Sequence, residues 1–127
     1  MRFLMRQKIL CLGDDFAIQD EAGEFMPPAT FMQAAERYNR MHAVDRWVIN
    51  NTLDWMHANP AKLVDISGFS INLSGQSLND AKLTRFIVEK CTASQVAREK
   101  VTFEVTETAA IANLQDAVEF IREMQAL

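Results

Sequence analysis

Two short stretches hold the residues best equipped for chemistry, Asn72-Leu73-Ser74 and Glu104-Val105-Thr106-Glu107. Each closes a short apolar run that reads as a β-strand, and each precedes a run that reads as an α-helix. In parallel α/β proteins the ends of neighbouring strands converge on one rim, where ligands bind. On such a rim Asn72 would supply an amide oxygen and Glu104 a carboxylate. Oxygen donors of this kind suit Mg²⁺ or Mn²⁺. The spacing leaves a second reading open, in which Asn72 caps a turn and Glu104 pairs with a lysine.

Strand alternation decides which way these side chains face. Phe69, Ile71 and Leu73 alternate with Ser70, Asn72 and Ser74, and Val101, Phe103 and Val105 oppose Glu104. With the apolar sets packed beneath helices, Asn72 and Glu104 point into a barrel or cleft. A carboxylate and an amide in that position are costly unless paired or bound to a metal.

The elements that must position them follow from periodicity. Residues 3–12 and Phe16-Ala17-Ile18 are expected to form a β-hairpin across Gly13-Asp14-Asp15, with a further turn at Asp20-Glu21-Ala22-Gly23. Pro27-Pro28 opens a helix carrying Phe31, Ala34, Ala35 and Tyr38, and Asn39-Arg40-Met41 breaks it. A second helix is expected from about Ala43 to Ala58, with Val44, Trp47, Val48, Asn51 and Trp55 on one buried stripe. Asn79-Asp80 caps a helix bearing Leu83, Phe86, Ile87 and Cys91. The last helix, about Asn113 to Ala126, presents Leu114, Ala117, Val118, Ile121 and Met124 as its buried stripe. From residue 61 onward the order is β-α-β-α, which implies parallel strands joined by right-handed crossovers.

Composition bounds the function classes. The chain has 127 residues, 49% of them hydrophobic and 24% charged, with a net charge of −4. That is one domain or part of one, with enough apolar residues for a packed core. The acidic balance argues against bulk binding of nucleic acid. No apolar run approaches the roughly 18–20 residues of a membrane span, and the N-terminus does not read as a signal peptide. Cys11 and Cys91 form no C-x-x-C pair and are expected to be reduced, as in a cytoplasmic protein. His42 and His57 have no second ligand at helical spacing and read as surface residues. Trp47 and Trp55 read as core, and Glu119, Arg122 and Glu123 as a solvated face.

Residues 20–127 resemble the EAL family of bacterial cyclic di-GMP phosphodiesterases. The resemblance rests on Pro28-Ala29-Thr30-Phe31-Met32-Gln33-Ala34-Ala35-Glu36-Arg37-Tyr38 and Asp45-Arg46-Trp47-Val48-Ile49. It continues through Ser70-Ile71-Asn72-Leu73-Ser74 and Thr102-Phe103-Glu104-Val105-Thr106-Glu107-Thr108. It implies an α/β fold, a half TIM-like barrel in βαβα order behind an N-terminal β-hairpin. It also implies a divalent-metal site, Mg²⁺ or Mn²⁺, at the strand ends. Asn72 and Glu104 fall on positions where that family holds its metals.

The departures matter as much. The family's Glu-Ala-Leu motif is expected at roughly residues 8–16, and the sequence there lacks it. The Asp-Asp-Phe-Gly motif is expected after the last helix and the next strand, beyond Leu127. Asp14-Asp15-Phe16 precedes Asn72 instead of following it, which argues against a transplanted metal site. Residues 1–24 resemble instead the opening hairpin of Tubby-like, LURP-one-related proteins, so a chimera of a segment 1–24 and a truncated EAL-like domain 25–127 is one expectation.

A complete barrel of this kind needs about 250 residues. Half a barrel leaves strand edges that recruit other strands, and a homo-oligomer through those edges is expected. The functional expectation is a fragment of a cyclic di-GMP phosphodiesterase domain, inactive alone. The alternatives are a non-catalytic nucleotide- or protein-binding module, or a recombined chain whose main property is folding and self-association. Neither a nucleic acid nor a membrane is an expected partner.

Overall fold

In a computed structural model, residues 4–7, 16–19 and 22–127 are described. The chain divides into two compact units, Met1–Arg40 and Met41–Leu127.

In the first unit, β1 (Leu4–Gln7) and β2 (Phe16–Gln19) pair antiparallel, with Leu4 opposite Gln19 and Gln7 opposite Phe16. The expected hairpin is present, its first strand described at Leu4–Gln7 within the expected residues 3–12. Its connecting segment, including Cys11 and Asp14-Asp15, lies outside the described residues. A short third strand that periodicity missed, β3 (Phe25–Met26), pairs antiparallel with β2. Two residues are too few for an alternation to register. Gly23 turns the chain between them at φ +85°, a conformation open to glycine without steric cost. Helix α1 (Pro28–Arg37) starts as expected, with Pro28 in its first turn and the Thr30 and Phe31 amides donating to the Pro27 carbonyl. Asn39 ends the segment in the left-handed region at φ 53°, which asparagine tolerates better than most residues.

The second unit carries the expected αβαβα order. Helix α2 (Met41–Ala58) leads through a 3-10 turn, Pro60–Val64, to β4 (Phe69–Leu73). A 3-10 turn at Gly75–Ser77 and helix α3 (Ala81–Ala93) follow, then a third 3-10 turn at Arg98–Lys100 and β5 (Val101–Val105). Helices α4 (Glu107–Ala112) and α5 (Leu114–Gln125) close the chain, separated at Asn113. Strands β4 and β5 pair parallel, with Phe69 opposite Val101 and Leu73 opposite Val105. Helix α3 is the crossover between them.

The core lies on the helix-covered face of this sheet. It joins Ile49, Leu53 and Met56 of α2 to Ile71 and Leu73 of β4, Leu83 and Ile87 of α3, and Ala117 and Phe120 of α5. Phe103 meets Phe120 edge-on at 6.1 Å between ring centroids, and Trp55 meets Phe69 in the same way at 5.6 Å. Asp80 caps α3 as expected, its carboxylate accepting from the amides of Lys82 and Leu83. Lys100 ties the sheet's entry side together, its ammonium donating to the carbonyls of Leu63 and Ile66.

Two helix faces differ from expectation. The buried residues of α2 are Met41, Asp45, Ile49, Leu53 and Met56, not the stripe through Val44 and Asn51. The period was right and the phase was not, because an aspartate occupies the buried stripe where an apolar residue would have marked it. Val48 and Trp55 flank the core and are partly buried. On α5, Ala117 and Phe120 are buried while Leu114, Val118 and Ile121 are exposed. Apolar side chains cover more than one face of α5, and only the face toward β5 is enclosed.

Cys91 is a free, buried thiol, and burial pushes its pKa up against a smaller opposing pull from Arg98. His57 is exposed, with Nδ1 2.7 Å from the Ser94 carbonyl, and Glu119, Arg122 and Glu123 are exposed as expected. No helix among the described residues is long and apolar enough to cross a membrane.

The corrected face of α5 predicts an asymmetry between two large side chains. Phe120→Ala should destabilise the chain by roughly 3 kcal/mol, as deletions of buried aromatics do. Leu114→Ala should stay within about 0.5 kcal/mol, the usual range for exposed positions. Urea denaturation of both variants checks this, and equal losses would contradict the assignment.

Candidate functional site

Asn72 and Glu104 are partners in the β4–β5 ladder, directly opposite one another. Their backbones are therefore about 4.8 Å apart, the spacing of adjacent strands. Both side chains are exposed, on the face opposite the one that buries Ile71 and Leu73. Ser70 and Thr102, one step back along the same face, are also ladder partners and exposed. The open face of the sheet thus carries two polar pairs, and the pair nearer the carboxyl ends holds the amide and the carboxylate. Among the described residues neither the Asn72 nor the Glu104 side chain has a hydrogen-bond or ion-pair partner. The turn cap and the lysine pair of the other reading do not form there.

Each strand end is held by the segment that follows it. After β4, Ser74 is extended and the Gly75–Ser77 turn begins. The Ser74 amide donates to Asp45 Oδ2 at 2.8 Å, and Ser77 Oγ donates to the same oxygen at 2.6 Å. After β5, Thr106 caps α4 by accepting from the Ala109 amide. The two rim segments touch at Gly75, where an added Cβ would lie 3.1 Å from Ala109 Cβ. Only glycine lets the rim turn after β4 approach α4 that closely without displacement.

The donor set suits a hard divalent cation in kind, being all oxygen. In number it is partial, since such an ion takes about six ligands. No group of three or more His, Cys, Asp or Glu capable of holding a metal occurs among the described residues. Pairing in the ladder brings together the two residues singled out from sequence. Asp45, Ser77 and Gly75, which hold the rim, were not singled out. Asp45 carried one available signal, a charged residue breaking the apolar stripe of a helix.

Comparison with known proteins bears on the same elements. The family model described as "EAL domain" matches residues 16–127. Cyclic di-GMP phosphodiesterase PdeB of Shewanella oneidensis is 34% identical over 110 residues, 87% of this chain and 13% of that protein. Cyclic di-GMP phosphodiesterase PdeF of Escherichia coli K12 is 30% identical over 131 residues, 98% of this chain and 17% of that protein. The chain thus spans less than a fifth of either relative's length. Among solved structures, the FimX EAL domain from Pseudomonas aeruginosa bound to c-di-GMP superposes with a TM-score of 0.73 at 23% identity. That match covers 98% of this chain and 52% of the other. The fold is accordingly that of part of a TIM-barrel-like domain, as the family resemblance implied.

Gly75→Val should destabilise the chain by roughly 1–3 kcal/mol through overpacking against Ala109, and Gly75→Ala by less. Thermal melts of the two variants check the order.

Proposed function

The chain belongs to the EAL domain family, and from that premise we propose that it is a segment of a cyclic di-GMP-specific phosphodiesterase signalling domain. In this reading Asn72 and Glu104 are two ligands of a Mg²⁺ or Mn²⁺ ion. The observation that carries it is the in-register pairing, on the open face of a parallel sheet, of an amide and a carboxylate that have no side-chain partner among the described residues. Asn72 would donate a neutral oxygen, and Glu104 would add one negative charge toward balancing the cation. When bound, the metal would offset charge on a phosphodiester and favour hydroxide over water. Orienting that cation against the sheet face is the part that these two residues would play.

The same reading makes residues 1–127 alone a poor catalyst. Neither a Glu-Ala-Leu nor an Asp-Asp-Phe-Gly string occurs in them, so the ligands that those motifs would supply are missing from residues 1–127. Purified chain with Mn²⁺ should hydrolyse cyclic di-GMP little or not at all, and measurable turnover would contradict this. It should still bind Mn²⁺ weakly, as read by calorimetry. Asn72→Ala and Glu104→Gln should each weaken that binding by at least about tenfold, the scale on which even outer-shell partners act. Binding unchanged in both variants would remove the metal reading. A cytoplasmic setting belongs to the same proposal.

A second copy of the chain is the partner that we infer for the edge of β5. Among the described residues β5 is paired on one side only. A groove beside it is lined by Val101, Phe103, Val105, Phe120 and Met124. Backbone groups on an unpaired edge template further pairing, and the apolar lining adds area to bury. Light scattering should give a concentration-dependent dimer whether or not metal or nucleotide is present. A monomer throughout the micromolar range would overturn it.

A further inference from the structure

The buried carboxylate of Asp45 is used neither by the core nor by the proposed ligand pair. It lies in the second turn of α2 and is 4% exposed. A charge in that position is costly unless hydrogen bonds replace its hydration. Oδ2 receives two, from the Ser74 amide at 2.8 Å and from the Ser77 hydroxyl at 2.6 Å. Bonds to an ionised acceptor are short and roughly twice as strong as neutral ones. The two serine hydroxyls lie 3.1 Å apart, which closes a small ring around the rim turn. A second tie runs the same way, the Met41 amide donating to Gln76 Oε1 at 3.4 Å. Helix α2 therefore grips, by side chain and by backbone, the segment that begins two residues after Asn72.

We propose that Asp45 is a positioning residue for the rim, fixing Ser74–Ser77 so that the Asn72 carboxamide is presented beside Glu104. Asn72 itself has no side-chain partner among the described residues to hold it. Its place is set by its backbone, between Ile71 in the core and Ser74 in the clasp. The buried Leu73 packs the strand end, but an apolar contact is not directional. The two bonds to Oδ2 are directional, and they define where the strand ends. The consequence for metal binding rests on the reading of Asn72 and Glu104 as ligands; the positioning itself does not.

The test compares Asp45→Ala, Asp45→Asn and Ser77→Ala with Leu53→Ala, a deletion in the shared core on the same helix whose side chain makes no hydrogen bond to the rim. In metal-free chain, Asp45→Ala should speed hydrogen exchange at the Ser74 amide by at least about tenfold beyond the change in global stability, because the amide loses its acceptor. It should also shift the Asn72 side-chain amide resonance. Asp45→Asn keeps an acceptor oxygen and should restore most of both signals. Leu53→Ala should lower stability and leave the Asn72 resonance in place. If Asp45→Ala fails to fold, Ser77→Ala, which removes the bonds to Asp45 Oδ2 and Ser74 Oγ and leaves the Ser74 amide its acceptor, carries the Asn72 resonance comparison.

Calorimetry with Mn²⁺ forms the second arm. Asp45→Ala should weaken binding by about tenfold, in the range of outer-shell substitutions. It should weaken it no further in an Asn72→Ala background, since it acts through that residue. An Asn72 resonance and Ser74 exchange that follow global stability alone, as in Leu53→Ala, would overturn the proposal. Rim signals that respond to Asp45 in a chain that binds no Mn²⁺ would uphold the positioning role and remove the metal reading instead.

Discussion

The parallel pairing of β4 with β5, in the one register that sets Asn72 against Glu104, is the constraint on which the rest depends. Side chains alternate with a period of two, so a slip of one residue in either strand would move its apolar set out of the core. Ile71 and Leu73 on β4 enforce one phase, and Phe103 against Phe120 enforces the other. The open face is then determined by exclusion. The same residues that bury apolar surface thereby place an amide and a carboxylate side by side, without either polar side chain contributing to the fold.

That division of labour separates stability from chemistry along each strand. The helix-covered face supplies the burial that holds β4, β5 and the crossover α3 together. The other face holds Ser70, Asn72, Thr102 and Glu104, all exposed. The transition between the two regimes occurs at the strand ends. There the packing of Gly75 against Ala109 and the grip of Asp45 on Ser74 and Ser77 replace ladder hydrogen bonds as the restraint. A rim built this way is tied through its backbone and open at its surface.

The parts of this architecture written in strong local patterns were legible in the sequence. The alternation through Phe69–Leu73 and Val101–Val105 marked both strands, and two helix starts were marked by Pro28 in a first turn and by the Asp80 cap. The pairing of Asn72 with Glu104 followed from placing two motifs at two strand ends. What escaped reading depends on the third dimension. The buried face of α2 was misphased because Asp45 stands in it, and a lone aspartate reads as solvent-facing until its two serine partners, 29 and 32 residues away, are seen. The exposure of Leu114, Val118 and Ile121 on α5 was equally invisible, since an apolar side chain does not record what covers it. β3 is two residues long and leaves no periodic trace.

The central claim is that Asn72 and Glu104 form one oxygen-donor pair for a divalent cation. Paramagnetic broadening tests it most directly, because Mn²⁺ erases the resonances nearest to it. Substoichiometric Mn²⁺ added to isotopically labelled chain should first erase the Asn72 side-chain amide and the backbone amides around residues 72 and 104. Broadening centred elsewhere, as on Asp54 or the acidic face of α5 at Glu119 and Glu123, with residues 72 and 104 left sharp, would contradict the account.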